Sequence, residues 1–142
     1  MVQKIALGDK AEVSMRTDGV ILVQWFPGVS ITEQDALDAM AAVDLLGGGG
    51  PTLLLVDMSG ITDLARDARA VFTRRCSARR IALVGASPVD WVIATFFLVL
   101  NVLPCPTRYF TEREMKDAEA WLSAGRKGIG ARKKRVSPTP GG

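Results

Sequence analysis

Apolar and polar residues alternate with period two in "AEVSMR", where Ala11, Val13 and Met15 oppose Glu12, Ser14 and Arg16. Such alternation predicts a strand with one buried face. "VILVQWF", residues 20–26, predicts a second strand. Asp18-Gly19 between them predicts a tight hairpin, because both residues tolerate positive φ. Pro27-Gly28 ends the hairpin, and "SITEQDALDAMAAVDLLGGGG" then takes up a helical period. Its inward positions are Leu37, Met40, Ala41 and Leu45. Ser30 and Glu33 have capping-box spacing at its start, and the glycine run 47–50 stops it.

The run "TLLLVD" is continuously apolar, as expected of a strand buried on both faces, and "RIALVG" repeats the pattern. Between them a second helix is predicted over roughly Leu64 to Ala78. Ala68, Val71, Phe72 and Cys76 point inward, and five arginines from Arg66 to Arg79 point outward. A third helix follows from Pro88 to Val102, with Ser87 at its cap. "PTRYF" makes a fifth strand. "TEREMKDAEAWL" makes a fourth helix, opened by a Thr111–Glu114 capping box, with Met115, Ala118, Trp121 and Leu122 at core spacing.

The order β-β-α-β-α-β-α-β-α describes an α/β domain with a mixed five-stranded sheet. An N-terminal antiparallel hairpin is followed by right-handed crossovers through about four helices. One domain is expected over residues 1–124. Residues 125–142, basic and containing Gly and Pro, are expected to be a disordered tail.

Composition narrows the chemistry. A chain of 142 residues that is 48% hydrophobic can bury a core and fold alone. Histidine is absent, which removes the commonest general base and metal ligand together. Cys76 and Cys105 form no C-x-x-C pattern, so structural zinc and a redox pair are not expected. They are expected as buried thiols in a reducing cytoplasm. The N-terminus has no signal-peptide h-region. The most apolar run, residues 91–103, would span ~20 Å as a helix, short of the ~30 Å hydrocarbon core. A membrane-spanning helix is therefore not expected.

The net charge of +3 hides a division. All 15 acidic residues and 12 of the 18 basic ones lie before position 125, which leaves −3 on the body and +6 on the tail. Six cations can hold phosphate without sequence preference. No aromatic residue is interleaved for base stacking, so nucleic acid is not expected beyond a tail contact, and a solubilising terminus is the plainer reading.

Ligands of open α/β sheets bind beyond the carboxyl ends of the parallel strands, here Asp57–Gly60 and Gly85–Ser87. Asp57 and Ser59 can face a partner or simply close their own turn. Ser87 can offer a helix N-terminus to an anion or simply cap its helix. "GGGGPT" lacks the Gly-Lys-Ser/Thr of a phosphate loop, and "LVGASP" lacks dinucleotide spacing. No histidine or core lysine stands ready as a base. Nothing fixes the separation of Asp57 from Asp63 or Asp67. Neither an enzyme, nor a cofactor, nor a metal is expected.

The third helix has no coherent polar face, since Asp90, Thr95 and Asn101 do not line one side. It must be covered all round. A second subunit, a small apolar ligand, or the chain's own last helix can supply the cover. A homodimer is the first of these, and Trp91, Phe96, Phe97 and Leu100 are the residues concerned, either in that contact or around a small apolar ligand.

The "VDMSGIT" corner, "VGASPVDWVIATFFLVLN" and "PTRYFTEREMKDAEAWL" together resemble the anti-sigma-factor-antagonist or STAS superfamily, in an actinobacterial STAS/SEC14-like branch. The resemblance covers roughly residues 10–123. Antagonists of that type carry Asp-Leu-Ser-Gly-Val-Thr, then a helix-opening Asp-Ser-Ser-Gly whose second serine is phosphorylated. The first element falls on Asp57 to Thr62 and the second on Ala65, Arg66, Asp67 and Ala68. An aspartate thus stands at the phosphoacceptor position, and its single charge poorly imitates a phosphate. Ser59 is not the equivalent serine. The resemblance implies a non-catalytic, cytoplasmic regulatory domain that contacts a protein partner through Asp57, Ser59, Arg66 and Asp67. The alternative it carries is a SEC14-like carrier or sensor of a small apolar ligand.

Overall fold

The computed structural model describes residues 3–74, 78–100 and 105–131, and of residues 74, 96, 97, 99, 100 and 126–131 the backbone only. In chain order the elements are β1 (Lys4–Leu7), β2 (Ala11–Met15), β3 (Val20–Trp25), β4 (Ser30–Ile31), α1 (Glu33–Gly47), β5 (Thr52–Asp57) and β6 (Asp63–Leu64). Then follow α2 (Arg66–Arg74), β7 (Ala78–Gly85), α3 (Pro88–Leu100), β8 (Thr107–Thr111), a 3-10 turn (Glu112–Glu114) and α4 (Met115–Ala131). The main sheet has the order β1-β2-β3-β5-β7-β8, and β4 pairs with β6 beside it. β1, β2 and β3 are antiparallel, and β3, β5, β7 and β8 are parallel.

The five expected strands are all present, and β1 adds a sixth at the edge. Its four residues "KIAL" are too short to declare themselves by pattern, and Ile5 and Leu7 are only half-buried. Each crossover from β3 to β8 advances in the same direction, so right-handed connections put α1, α2 and α3 on one face. On that face Ile21, Val23 and Leu54 pack with Ala39, Val71 and Ala94. The other face belongs to α4, whose Ala118 and Leu122 are fully buried on Leu53, Leu55 and Val84. α4 therefore does not cover α3, which removes the last helix from the three candidate covers.

Local details differ from the sequence pattern for identifiable reasons. The β2–β3 hairpin is not a two-residue turn with two positive φ angles. Gly19 alone is left-handed (φ 86°), the Gly19 N–H donates to the Arg16 carbonyl, and the Val20 N–H donates to Asp18 Oδ1 at 3.1 Å. That is a three-residue loop with a glycine bulge.

The α1 cap is Thr32 with Asp35, not Ser30 with Glu33. The Asp35 N–H donates to Thr32 Oγ1 at 3.2 Å and the Thr32 N–H donates to Asp35 Oδ2 at 2.9 Å. Ser30 is held instead in β4, against Asp63. The buried face of α1 is Ala36, Ala39, Met40, Ala42 and Val43, while Ala41 and Leu45 face solvent. Small alanines bring the helix close to the sheet, and the half-buried Leu37 and Leu46 flank that contact.

α2 starts two residues later than expected because Leu64 is committed to β6, and Ala78 already belongs to β7. Cys76 and Asn101 lie outside the described residues; Cys105 is half-buried rather than buried. The last helix does not stop near residue 122 but continues to Ala131, seven residues into the segment expected as tail. Gly125 is buried in it, and a Cβ there would lie 2.6 Å from Arg80 Cδ. The glycine makes room for Arg80, whose guanidinium donates to the Trp121 carbonyl at 2.7 Å and stacks 4.8 Å from the Trp121 ring centre. Among the described residues no helix is long and apolar enough to cross a membrane.

Candidate functional site

The carboxyl ends of β5 and β7 form one corner, and its centre is a residue that the sequence pattern passes over. β5 ends at Asp57, whose Oδ1 accepts from the Ser59 N–H at 3.0 Å and closes an Asx turn. Gly60 follows at φ 81° with the Pro27 ring against it. A Cβ would lie 3.1 Å from Pro27 Cβ, a tight approach, and the left-handed backbone angle is the one that favours glycine. The Gly60 carbonyl accepts from the Gly28 N–H at 2.8 Å, and the Thr62 N–H donates to Val29 at 2.8 Å. The β3 and β5 loops are thereby laced together.

Asp90 ties this turn to the next one. Its side chain is wholly buried (0% exposed). The Gly60 N–H donates to Oδ1 and Oδ2 at 3.1 and 3.2 Å, and the Ala86 and Ser87 amides donate to Oδ2 at 2.8 and 3.1 Å. In return the Asp90 N–H donates to Ser87 Oγ at 3.2 Å. Three amides hold the buried carboxylate; two of them, from Ala86 and Ser87, immediately precede α3, and Asp90 itself lies in its first turn, where a carboxylate is favoured by the helix dipole. Ser87 therefore caps its helix, and its own amide is held by Asp90. The clue lay in Ser87-Pro88-Val89-Asp90, which has the spacing of a cap with an acidic third residue. The reach to Gly60, thirty residues away, has no local signature.

Around this centre, Ser59 Oγ donates to Glu112 Oε2 at 3.4 Å, a long contact. Gly85 is closed in by the Tyr109 hydroxyl and the Asp90 side chain, and a Cβ there would collide with both. Burial raises the Tyr109 hydroxyl above its ordinary pKa near 10, and the charges of Asp90, Glu112 and Glu114 add to the rise. Arg66 and Asp67 are exposed at the first turn of α2, and among the described residues neither has an ion pair or hydrogen bond to Asp57 or Ser59. The four residues of the expected surface thus divide into a laced pair and an exposed pair. Among the described residues no three His, Cys, Asp or Glu side chains converge as metal ligands.

Two apolar features flank the corner. On the outside Val89, Trp91 and Val92 are 58%, 55% and 44% exposed on the first turns of α3. On the inside lies a cavity of about 70 Å³, floored by Val23 and Leu54 and walled by Met58, Ile61, Ile93 and Ala94. Trp91 does not line it, and the side chains of Phe96, Phe97 and Leu100 lie outside the described residues.

No curated protein matches the sequence. Among solved structures, the fold is similar to an uncharacterised DUF3478-family protein with a SpoIIAA-like fold from Shewanella loihica PV-4. The TM-score is 0.52 at 13% identity, over 86% of this chain and 95% of that one. The architecture is accordingly STAS-like. A protein with unknown function from Arthrobacter sp. FB24 is 44% identical over 84% of this chain and 98% of that one, with a TM-score of 0.33. Residues 13–125 match the model of one family, and the chain belongs to it: the domain of unknown function DUF7793.

Proposed function

We propose that this chain is a non-catalytic protein-binding module whose docking surface is the strand-end corner, Asp57 to Gly60, with the first turns of α3 and the exposed Arg66 and Asp67. One observation carries the reading. Three outward positions on the first turns of α3, Val89, Trp91 and Val92, are large and apolar, and they flank the buried Asp90 that fixes them to Gly60. A rigid exposed aromatic beside polar groups is the usual composition of an interface anchor. The polar groups at the corner are engaged with each other rather than arranged around a reacting atom. A second copy of the chain is one partner such a surface can take, which keeps the expected homodimer within the same proposal.

Affinity capture from a native extract tests it, with Trp91→Ala and Arg66→Glu compared with wild type. Leu45→Ala is the control, since Leu45 is 74% exposed on α1, away from the corner. A partner lost with the first two variants and kept with the third supports the reading. Retention in all three removes it. Native mass spectrometry of the same proteins reports whether the partner is a second copy.

A further inference from the structure

We propose that the cavity beneath the corner is a binding site for a small, compact, uncharged alkyl group, and that its occupancy regulates the docking surface above it. The regulatory half rests on the docking reading; the binding half does not.

Protein interiors pack like organic crystals and leave few voids larger than a water molecule. A hollow of about 70 Å³ is well beyond that size, and every described residue around it is apolar. Water needs two to four polar partners to be stable in such a place, so this one stays dry or takes an apolar guest. Volume sets the class of guest. A cavity of ~150 Å³ accommodates benzene, so about half that volume suits roughly three to four heavy atoms. A lipid chain or a flat polycyclic molecule does not fit. Met40 and Met58 supply adaptable walls, which suits a guest of irregular outline. Val56, Phe72 and Ile93 are only half-buried, so the hollow approaches the surface from the helical side of the sheet.

The position of the walls suggests what binding would do. In the corner loop, Met58 and Ile61 face the cavity, while Ser59 and Gly60 between them form the outer turn. On α3, Ile93 and Ala94 face the cavity, while Trp91 and Val92 immediately before them face outward. A guest thus touches the inner sides of both elements that carry the docking surface, and Asp90 links those elements through Gly60. Filling the hollow favours the arrangement in which both walls contact the guest.

Methyl-resolved NMR of the full chain tests the proposal, with xenon, isobutane and isovalerate as separate probes. Saturable shifts confined to the methyls of Met58, Ile61 and Ile93, with the Trp91 indole N–H following the same curve, are the expected result. Saturation by isobutane alone means a free small molecule, and saturation by isovalerate as well means the alkyl end of a longer one. Shifts that grow linearly and everywhere, with no saturation for any probe, overturn the site. Saturating methyls with an unmoved Trp91 overturn the regulatory half and leave the docking proposal to its own capture test. Ala94→Leu gives an independent measure. Filling a real hollow raises Tm and abolishes the xenon response, whereas a lowered Tm with no xenon response in wild type means a close-packed core.

Discussion

The backbone amide of Gly60 donates to both carboxylate oxygens of Asp90, across thirty residues of sequence and between the ends of two parallel strands. Asp90 also holds the Ala86 and Ser87 amides, so one buried carboxylate satisfies three donors. Replacing it by alanine takes the shared acceptor away from all three donors. Asp90→Ala is expected to destabilise the fold by about 3 kcal/mol, read by urea denaturation, because bonds to a charged acceptor are each worth roughly 1.5–3 kcal/mol. A loss under about 1 kcal/mol would show that water replaces the carboxylate easily.

Thr52 presents the reverse case. Its hydroxyl is buried in β5 with no hydrogen-bond partner among the described residues. Thr52→Val keeps the shape, suits a strand and removes the unpaired group. An increase in stability of about 1 kcal/mol is expected in the same assay.

Gly125→Ala would ordinarily stabilise a helix interior by about 1 kcal/mol. Here the added methyl meets Arg80, which is anchored on the Trp121 carbonyl and ring. The single substitution is expected to lower Tm. In an Arg80→Ala background the same substitution is expected to raise it, and a double-mutant cycle measures the reversal.

Acid titration should single out Asp35. Burial pushes its carboxyl up, but hydrogen bonds from Thr32 and Lys10, together with the Lys10 charge, outweigh that and leave it below 3.8. A carboxyl lowered in the folded state contributes stability above its unfolded pKa and loses it as pH falls through the folded value. Asp35→Asn should therefore cost about 1 kcal/mol near neutrality, the ordinary value of a cap, and the gap should close below pH 3.8. Equal stability differences at neutral and strongly acidic pH would assign the loss to packing.

Tyr109 should act at the opposite end of the scale. Its raised pKa means that its contribution is complete below about 10 and declines as pH rises through the folded value. Tyr109→Phe is expected to flatten the alkaline limb of the stability curve, followed by circular dichroism.

The strands and helices were legible wherever periodicity was long. "TLLLVD" and "RIALVG" announced buried parallel strands, and the chain's order of elements announced the topology. Signals that compete over a few residues were not decided by sequence. Ser30–Glu33 and Thr32–Asp35 both have cap spacing, and only the pairing of Ser30 with Asp63 settles which is used. Gly125 looks like a helix stop, yet the side chain that requires it comes from β7. At the corner, Asp57 and Ser59 were visible as turn formers. Asp90 was visible only as a polar residue on an apolar helix, because its main contact is tertiary.

The monotonic strand order has a consequence for synthesis. Each new βα unit adds to the edge that the preceding unit has just exposed, so the sheet can grow from the ribosome in the order of translation without rearrangement. The vulnerable interval lies between the emergence of β7 and that of β8. During it the open edge is "ARRIALVG", whose apolar half has no charge to discourage a neighbouring chain. Arg79 and Arg80 at its leading end are the only charged residues on that strand, and they guard the edge until β8 closes it.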